Sequence, residues 1–251
     1  MASQTTEGKG EFSCISWNIH RCRGNDGHVD PARIVDTLVN DIWADGIDAL
    51  ILQEADEDCP PHSGLLDIAA VERATGLRYA HISAERRWSE GSHGFLGVIL
   101  FLNPAITVEG MTLLDLPGHC HRGAVVADLS RGDQRFRLIG THLSLWQGLR
   151  WAQLRSISQH VFRKGPSPTV LVGDLNEWRP WGGLALSPRL LGTAFKGPCK
   201  PTFPVGRPIL PLDRILATSP ARVTSTRVLD GPGIRMASDH RPLFGQIALP
   251  R

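Results

Sequence analysis

The stretch "TVLVGDLN" at residues 169–176 predicts a buried β-strand that carries two polar side chains to its end. A run of Val, Leu and Val leads into Asp174 and, two residues later, Asn176. Side chains at positions i and i+2 of a strand point to the same face, so one interpretation is that the two converge on one target. The alternative is that Asp and Asn end the strand by hydrogen-bonding to the local backbone in a turn. This stretch alone favours neither interpretation.

Further apolar runs of strand length occur along the whole chain. They lie at 12–19, 48–54, 95–102, 123–129, 136–145, 213–219 and 241–249. Amphipathic segments between them predict helices at 30–46, 64–76 and 148–165. In the first of these helices, Asp30 is placed to cap and Pro31 takes the first helical position. Because only some strands and helices alternate strictly, the pattern favours two packed sheets covered by helices over one parallel sheet.

The composition is that of an ordinary globular chain. It has 251 residues, of which 41% are hydrophobic and 21% charged, and this predicts one domain over residues 12–251 behind a flexible N-terminal tail at 1–11. The formal net charge is only +2, so no overall cationic field points to a polyanionic partner. Nucleic acid stays open as a partner but is not favoured.

Cysteine usage and hydropathy indicate a cytoplasmic protein, and a monomer is expected. The five cysteines are odd in number and contain no CxxC pair, which argues against a zinc ribbon and a disulfide framework. The first residues, "MASQTTEGKGEF", contain no apolar segment of the signal-peptide type. No later run approaches the roughly 18 apolar residues of a membrane span, although peripheral contact with a membrane stays open.

Polar residues recur where the predicted strands end. Examples are Asn18 in "SWNIH", Glu54 after "LILQ" and His142 in "GTHLSL". Each alone has an ordinary explanation, such as a hydrogen-bonded amide or imidazole in the core. Together, carboxylates, carboxamides and imidazoles at neighbouring strand ends are what a magnesium ion and a phosphate ester require. Glu54 is therefore a candidate ligand for magnesium, with Asn18 assisting.

His240, in "SDHRPL", is a candidate base or phosphate contact. A carboxylate beside an imidazole fixes its tautomer and raises its basicity. Asp239 is its neighbour in sequence, but adjacent side chains on a strand diverge. Asp213, in "LDRI", is therefore the favoured partner of His240.

Six motifs, in the order "SWNI", "LQE", "THL", "GDLN", "LDRI" and "SDHRPL", resemble the motif set of the endonuclease/exonuclease/phosphatase family, and the resemblance covers about residues 12–249. It implies a DNase I-like fold of the α/β class: a four-layer α/β sandwich, with two mixed β-sheets packed face to face and flanked by helices. It also implies hydrolysis of phosphate esters with Mg²⁺ or Mn²⁺. Within the family, "WNIHRCRG", "GDLNEWRPW" and "TFP" before "LDRI" look most like a bacterial branch often encoded beside a cardiolipin synthase.

The resemblance implies two groups of site residues. The metal would be bound by Asn18, Glu54 and Asp239, and Asp174 would orient or deprotonate the attacking water. The catalytic residues carried over by motif are His142, Asp174, Asn176, Asp213 and His240. The implied reaction is that of a phosphodiesterase or phosphatase on an intracellular lipid-derived or nucleotide substrate. The alternatives are a magnesium-dependent DNA nuclease and, least favoured, a non-catalytic scaffold.

Several residues next to the motifs are candidate substrate contacts. A guanidinium group suits phosphate oxygens, and an indole can wall a pocket or stack on a base. The ordinary alternatives are solvation for the arginines and packing under a loop for the tryptophans. The candidates are His20, Arg21, Arg122, Trp178 and Arg179.

Overall fold

The computed structural model describes residues 10–118 and 122–250. Residues 1–9 of the predicted tail, and Cys120, therefore lie outside the described residues. Glu11 was predicted to end the tail, but it is the first residue of a strand and pairs with Ala248. The four described cysteines are free thiols.

Eleven strands are present in the described part of the chain. They are β1 (Glu11–Asn18), β2 (Ala49–Gln53), β3 (Arg78–Tyr79), β4 (Ile99–Leu102), β5 (Thr107–Leu116), β6 (Arg122–Arg131), β7 (Gln134–His142), β8 (Thr169–Asp174), β9 (Asp213–Ala217), β10 (Arg222–Val228) and β11 (Leu243–Ala248). They form a six-stranded sheet in the order β10-β11-β1-β2-β4-β3 and a five-stranded sheet in the order β5-β6-β7-β8-β9. Both sheets are mixed, because β1 pairs in parallel with β2 and β7 pairs in parallel with β8.

The helices are α1 (Pro31–Thr37), α2 (Ile68–Thr75), α3 (Gln147–Arg163), α4 (Pro188–Leu191) and α5 (Pro232–Ala237). Helix α1 begins as predicted, with Pro31 in its first turn and the Asp30 side chain accepting a hydrogen bond from the backbone N–H of Arg33. It continues as one π-helical turn over Leu38–Ile42 and stops there, short of the predicted end at 46. Helix α2 starts at Ile68, where Asp67 caps it, and not at 64.

Three apolar clusters show that the molecule has four layers. Alternate residues of each strand face opposite sides of a sheet. Ile51 and Val172 lie in the cluster between the two sheets, while Leu50 packs against helices outside the first sheet and Leu171 against helices outside the second. Helices α1, α2 and α5 cover the first sheet, and α3 and α4 cover the second. The predicted four-layer α/β sandwich is confirmed.

Three strands were missed, and all lie at sheet edges; one of them, β3, has only two residues. Strands β5 and β10 are each paired on one side only and leave many side chains partly or fully exposed. Their apolar alternation is therefore weak. Predicted strands also ran too far: the segment 95–102 is a strand only from Ile99, because Leu96 and Gly97 form a turn with φ of 51° and 83°. No helix in the described ranges is long and apolar enough to cross a membrane.

Candidate active site

The two parallel strand pairs bring the predicted site residues to one end of the sandwich. Asn18 ends β1 opposite Gln53 of β2, so Glu54 follows directly beside it. His142 and Asp174 are register partners at the ends of β7 and β8. Strand β9 runs antiparallel to β8, so Asp213 at its start also lies opposite Asp174. The strand order therefore assembles one half of the site from each sheet.

Two of the polar residues hold a left-handed backbone. Glu54 has φ of 55° and Asn176 has φ of 51°, a region that residues other than glycine rarely adopt. Gly97, at φ +83°, makes room for Glu54, since a Cβ there would lie 3.3 Å from the Cα of Glu54. Conformations of this kind cost of order 1–3 kcal/mol and concentrate at functional sites. Both side chains are thus turned away from the direction that a continued strand would give them.

Asp174 is the centre of the site, and its two carboxylate oxygens have different partners. Oδ1 accepts a hydrogen bond from the backbone N–H of Asn176 at 2.9 Å, which is the turn interpretation of "GDLN". Oδ2 accepts one from Nδ2 of Asn18 at 3.1 Å and lies 3.5 Å from Nε2 of His142. Asn176 in turn approaches Nε2 of His142 at 3.3 Å. The turn interpretation therefore holds for Oδ1. Both side chains also approach His142, but not for the predicted reason, because the strand ends at Asp174 and Asn176 lies beyond it with a left-handed backbone.

His240 is paired with Asp213, as predicted. Its Nδ1 lies 2.8 Å from Oδ2 of Asp213, and its Nε2 lies 3.8 Å from Oδ2 of Asp174. The hydroxyl of Thr202 donates to the same Asp213 oxygen at 2.5 Å, and the ring of Phe203 packs on His240 with centroids 4.9 Å apart. Asp213 and these neighbours thus fix the imidazole in one orientation.

Burial and neighbouring charges shift the pKa values of Asp174, His240 and His142 in different ways. Burial raises the pKa of Asp174 to about 6, with His240 opposing the shift and Asp213 adding to it. Burial alone would lower the pKa of His240, but the carboxylates of Asp213 and Asp174 outweigh it and raise that pKa to about 10. Burial and the positive charges of Arg122 and His240 hold the pKa of His142 well below 6.5. At neutral pH the site thus contains an ionised Asp174, a charged His240 and a neutral His142.

The donor set fits a hard divalent cation. The Nδ2 of Asn18 lies 3.3 Å from Oε1 of Glu54 and 3.1 Å from Oδ2 of Asp174, so the amide bridges two carboxylates. Oε2 of Glu54 is buried without a hydrogen bond. The oxygen ligands available here are the carboxylates of Glu54 and Asp174 and the amide oxygen of Asn18, which also accepts a hydrogen bond from the backbone N–H of His20. Such oxygens suit Mg²⁺ or Mn²⁺.

A second possible cation set is formed by Asp174, Asp213 and His240, whose ligand atoms all lie within 4.8 Å of one another. It is the weaker candidate, because Asp213 and His240 already bind each other at 2.8 Å. An ion there would have to break that pair. Asn18 and Glu54 are therefore the favoured anchors. Asp239, the third predicted ligand, is about one-third exposed and lies 3.8 Å from Nδ1 of His20.

The predicted substrate contacts divide into two kinds. Arg122 lines a cleft together with Arg21, Glu54 and His142, which places its charge beside the central residues. Arg179 is instead tied to the buried carboxylate of Glu177 at 3.0 Å and lies over the ring of Trp178 at 4.9 Å. Trp178 itself is half exposed.

Arg21 contacts the candidate metal ligand Glu54, which the sequence did not indicate. Its Nη1 lies 2.7 Å from Oε2 of Glu54, an ion pair without hydrogen-bond geometry, and its Nη2 donates to Asp58 at 2.8 Å. Its backbone N–H also donates to the carbonyl of Glu54 at 3.1 Å. Residues 20–22 form a left-handed turn with φ of 48°, 51° and 58° that directs this arginine inward. Arg21 is thus a fixed counter-ion of the candidate metal ligand.

Supporting residues were missed by the sequence interpretation. Glu177, directly after "GDLN", is fully buried between Arg150 and Arg179. Arg214, in "LDRI", is also buried and donates to the backbone carbonyls of Glu177 and Arg179 at 3.1 and 2.8 Å. Thr202, in "TFP", supports Asp213. The position of Thr202 in that motif was the only available signal, since nothing in the sequence shows that a Glu or Arg is buried.

The family model for the endonuclease/exonuclease/phosphatase family matches residues 15–240, which is most of the chain and includes every residue of the candidate site. The chain belongs to this family. A search among curated proteins finds no match for the sequence.

Several solved structures share the fold. An endonuclease/exonuclease/phosphatase from Bacteroides vulgatus superposes with a TM-score of 0.73 at 17% identity, covering 96% of this chain and 99% of that one. A mannosyl-6-phosphatase from Bacteroides thetaiotaomicron gives 0.69 at 14% identity, with 95% and 100% covered. TDP2 from D. rerio, complexed with a single-strand DNA product, gives 0.68 at 17% identity, with 94% and 98% covered. At these identities the likeness establishes the fold.

Proposed function

We propose that this chain is a divalent-metal-dependent hydrolase of phosphate esters, acting as a phosphodiesterase or phosphatase on a lipid-derived or nucleotide substrate. The observation that carries the proposal is the convergence of Asn18, His142 and His240 on one oxygen of Asp174, with Glu54 beside Asn18. A scaffold that only binds ligands would have no need for a buried carboxylate beside a charged imidazole. The family membership supports the same chemistry.

The chain's own residues can perform the proton transfers. Asp174, with its pKa raised to about 6, is a base near neutral pH and accepts the proton of a water that attacks phosphorus. The Nδ1 of His240 is engaged by Asp213, so its Nε2–H is the donor available to a phosphoryl oxygen. Neutral His142 and the amide of Asn176 position the water and the phosphate. The ester P–O bond then breaks, and the departing oxygen takes up a proton from solvent water, while Asp174 returns the proton it accepted to solvent.

Asn18 and Glu54 would hold the divalent cation. Bound there, the ion would supply positive charge to a phosphoryl oxygen and so stabilise the charge that develops as water attacks. Arg122 lines the same cleft and can contribute a second positive charge to the phosphate.

The test is hydrolysis of bis(4-nitrophenyl) phosphate and of 4-nitrophenyl phosphate with Mg²⁺ or Mn²⁺, with Asp174→Asn as the control. Metal-dependent turnover that Asp174→Asn abolishes would support the proposal, and the preferred substrate would separate phosphodiesterase from phosphatase. Activity that survives in Asp174→Asn would refute the assigned roles. Cleavage of DNA in place of these esters, with a steep dependence on salt, would favour the nuclease alternative.

A further inference from the structure

Two loops at the candidate site display large apolar side chains to solvent. One follows His142 at the end of β7, and the other follows Asp174 at the end of β8, so they lie side by side. Their exposed members, here called the apolar rim, are Leu145 (77% exposed), Trp146 (68%), Trp178 (50%), Trp181 (75%) and Leu184 (47%). These are five of the twelve exposed large hydrophobic residues in the described part of the chain. The exposed apolar surface is therefore concentrated beside the site.

The loops are held from beneath. Arg150 is buried and donates to the carbonyls of Leu145 and Ser144 at 2.5 and 3.2 Å, while its Nε lies 3.6 Å from Oε2 of Glu177 in the second loop. Arg214 binds three backbone carbonyls of the second loop, at residues 177, 179 and 180. The two loops are therefore held in place before binding, and little conformational entropy of the loops would be lost when the apolar rim binds a partner.

The rim carries no free charge. Across loop residues 143–147 and 177–186 the only charged side chains are Glu177 and Arg179, and these bind each other at 3.0 Å. The neighbouring guanidinium groups of Arg150 and Arg214 point inward, to backbone carbonyls. A polyanion such as DNA needs cations to neutralise its phosphates, and this surface offers none.

The apolar rim contains three tryptophans and two leucines and no unpaired charge. Side chains of these types are common where proteins bind at the boundary between lipid headgroups and acyl chains. A surface docked on this rim would bring its phosphate headgroups to the mouth of the site beside Asp174. We propose that the apolar rim docks onto a phospholipid surface, driven by apolar burial and not by charge attraction. The choice of lipid over another apolar partner rests on the proposed function, because phosphate esters are what the adjacent site would receive.

The test is flotation of the protein with phosphatidylcholine vesicles in EDTA, for the wild type and for Asp174→Asn. Both should float with the vesicles, and the double substitution Trp146→Ser/Trp181→Ser should lower the partition coefficient at least about tenfold, because burial of these rings drives binding. Raising NaCl from about 0.1 to 1 M, where the screening length falls to about 3 Å, should not release the protein.

Phe162→Ala is the matched control. Phe162 is 86% exposed at the far end of α3, about 24 Å along the helix from Trp146, and its removal should leave flotation unchanged. Thermal melting of the double variant should match the wild type, because both rings are exposed. An equal loss of flotation in Phe162→Ala would mean that the rim is not the docking surface.

Three other outcomes would overturn the proposal: no flotation of the wild type, release by salt, or a wild-type dimer that the double substitution dissociates. The last would assign the rim to a second copy of the chain. Because flotation is measured in EDTA and with Asp174→Asn, it is independent of catalysis. Flotation without hydrolysis of either aryl phosphate would support the docking surface and refute the proposed function. Hydrolysis without flotation would support the proposed function and refute the docking surface.

Discussion

Nδ1 of His240 lies 2.8 Å from Oδ2 of Asp213, and this pair sets the protonation state of the imidazole. The folded pKa of about 10 exceeds the ordinary 6.5, so the pair's stabilisation is complete below pH 6.5 and is lost as the pH rises through about 10. Removing the Asp213 carboxylate should therefore bring the pKa of His240 back toward its ordinary value of 6.5.

Asp213→Asn should therefore lower the pKa of His240. NMR titration of the imidazole in the metal-free protein measures this directly, and the upper limb of the pH profile of kcat/KM should move with it. Asp239→Asn is the matched control, because Asp239 is the sequence neighbour and its effect on the pKa of His240 is the smaller of the two. A larger shift in Asp239→Asn than in Asp213→Asn would contradict the pairing.

Asp174→Asn should abolish hydrolysis and at the same time raise the melting temperature of the metal-free protein at pH 7. The reason is that burial disfavours the ionised carboxylate, as its raised pKa of about 6 shows. The isosteric amide retains one oxygen, which can accept from Asn18 or from the backbone N–H of Asn176 but not from both. Calorimetric melts at pH 7 measure the gain, which should shrink as the pH falls below 6 and the wild-type carboxyl takes up its proton.

Asp133→Asn, in the exposed turn between β6 and β7, should change neither property. A lower melting temperature in Asp174→Asn than in the wild type would contradict this prediction, because it would show that the carboxylate of Asp174 stabilises the fold.

Arg21→Gln should strengthen Mn²⁺ binding by about fivefold. The guanidinium lies 2.7 Å from Oε2 of Glu54 and competes with a cation for that carboxylate, and a partly exposed pair of this kind contributes roughly 1 kcal/mol. Isothermal titration calorimetry measures the affinity. Arg23→Gln, whose side chain donates to the carbonyl of Gly27 on the exposed side of the same turn, should leave it unchanged. Weaker Mn²⁺ binding in Arg21→Gln would instead mean that Arg21 holds Glu54 in the orientation that the metal requires.

Glu177→Ala should lower the free energy of unfolding by about 3–5 kcal/mol, because it leaves the buried Arg150 without its counter-ion. Urea denaturation measures the loss. Glu90→Ala, on an exposed loop, should stay within about 0.5 kcal/mol of the wild type. A loss below about 1 kcal/mol for Glu177→Ala would show that Arg150 finds sufficient partners in the backbone carbonyls alone.

The strand ends were predictable from the sequence, because an apolar run followed by Asp, Glu or His is visible in the letters. Glu54 and Asp174 were found in this way, Asn18 was found as a polar residue at the end of an apolar run, and the pairing of His240 with Asp213 followed from the divergence of neighbouring side chains. The sequence did not show why these ends meet. That depends on β1 pairing in parallel with β2, and β7 with β8, which brings chain ends from distant segments to one edge.

Residues whose role depends on burial were not predictable. A Glu or Arg is usually solvated, so Glu177, Arg150 and Arg214 gave no signal, although all three are almost fully buried under the loops. Edge strands β5 and β10 were missed because a strand with one open side needs fewer apolar residues. The left-handed backbone of Glu54 likewise gave no signal, because it lies against Gly97, far along the chain.

The hydrogen bond of 3.1 Å between Asn18 and Asp174 joins the end of a strand in one sheet to the end of a strand in the other. Neither sheet alone contains a complete set of reactive groups. A folding intermediate with only one sheet formed would therefore be inert, however native its strands. During refolding, the return of turnover should coincide with the docking of the two sheets and lag behind the recovery of secondary structure, which makes catalysis a reporter of the last step of assembly.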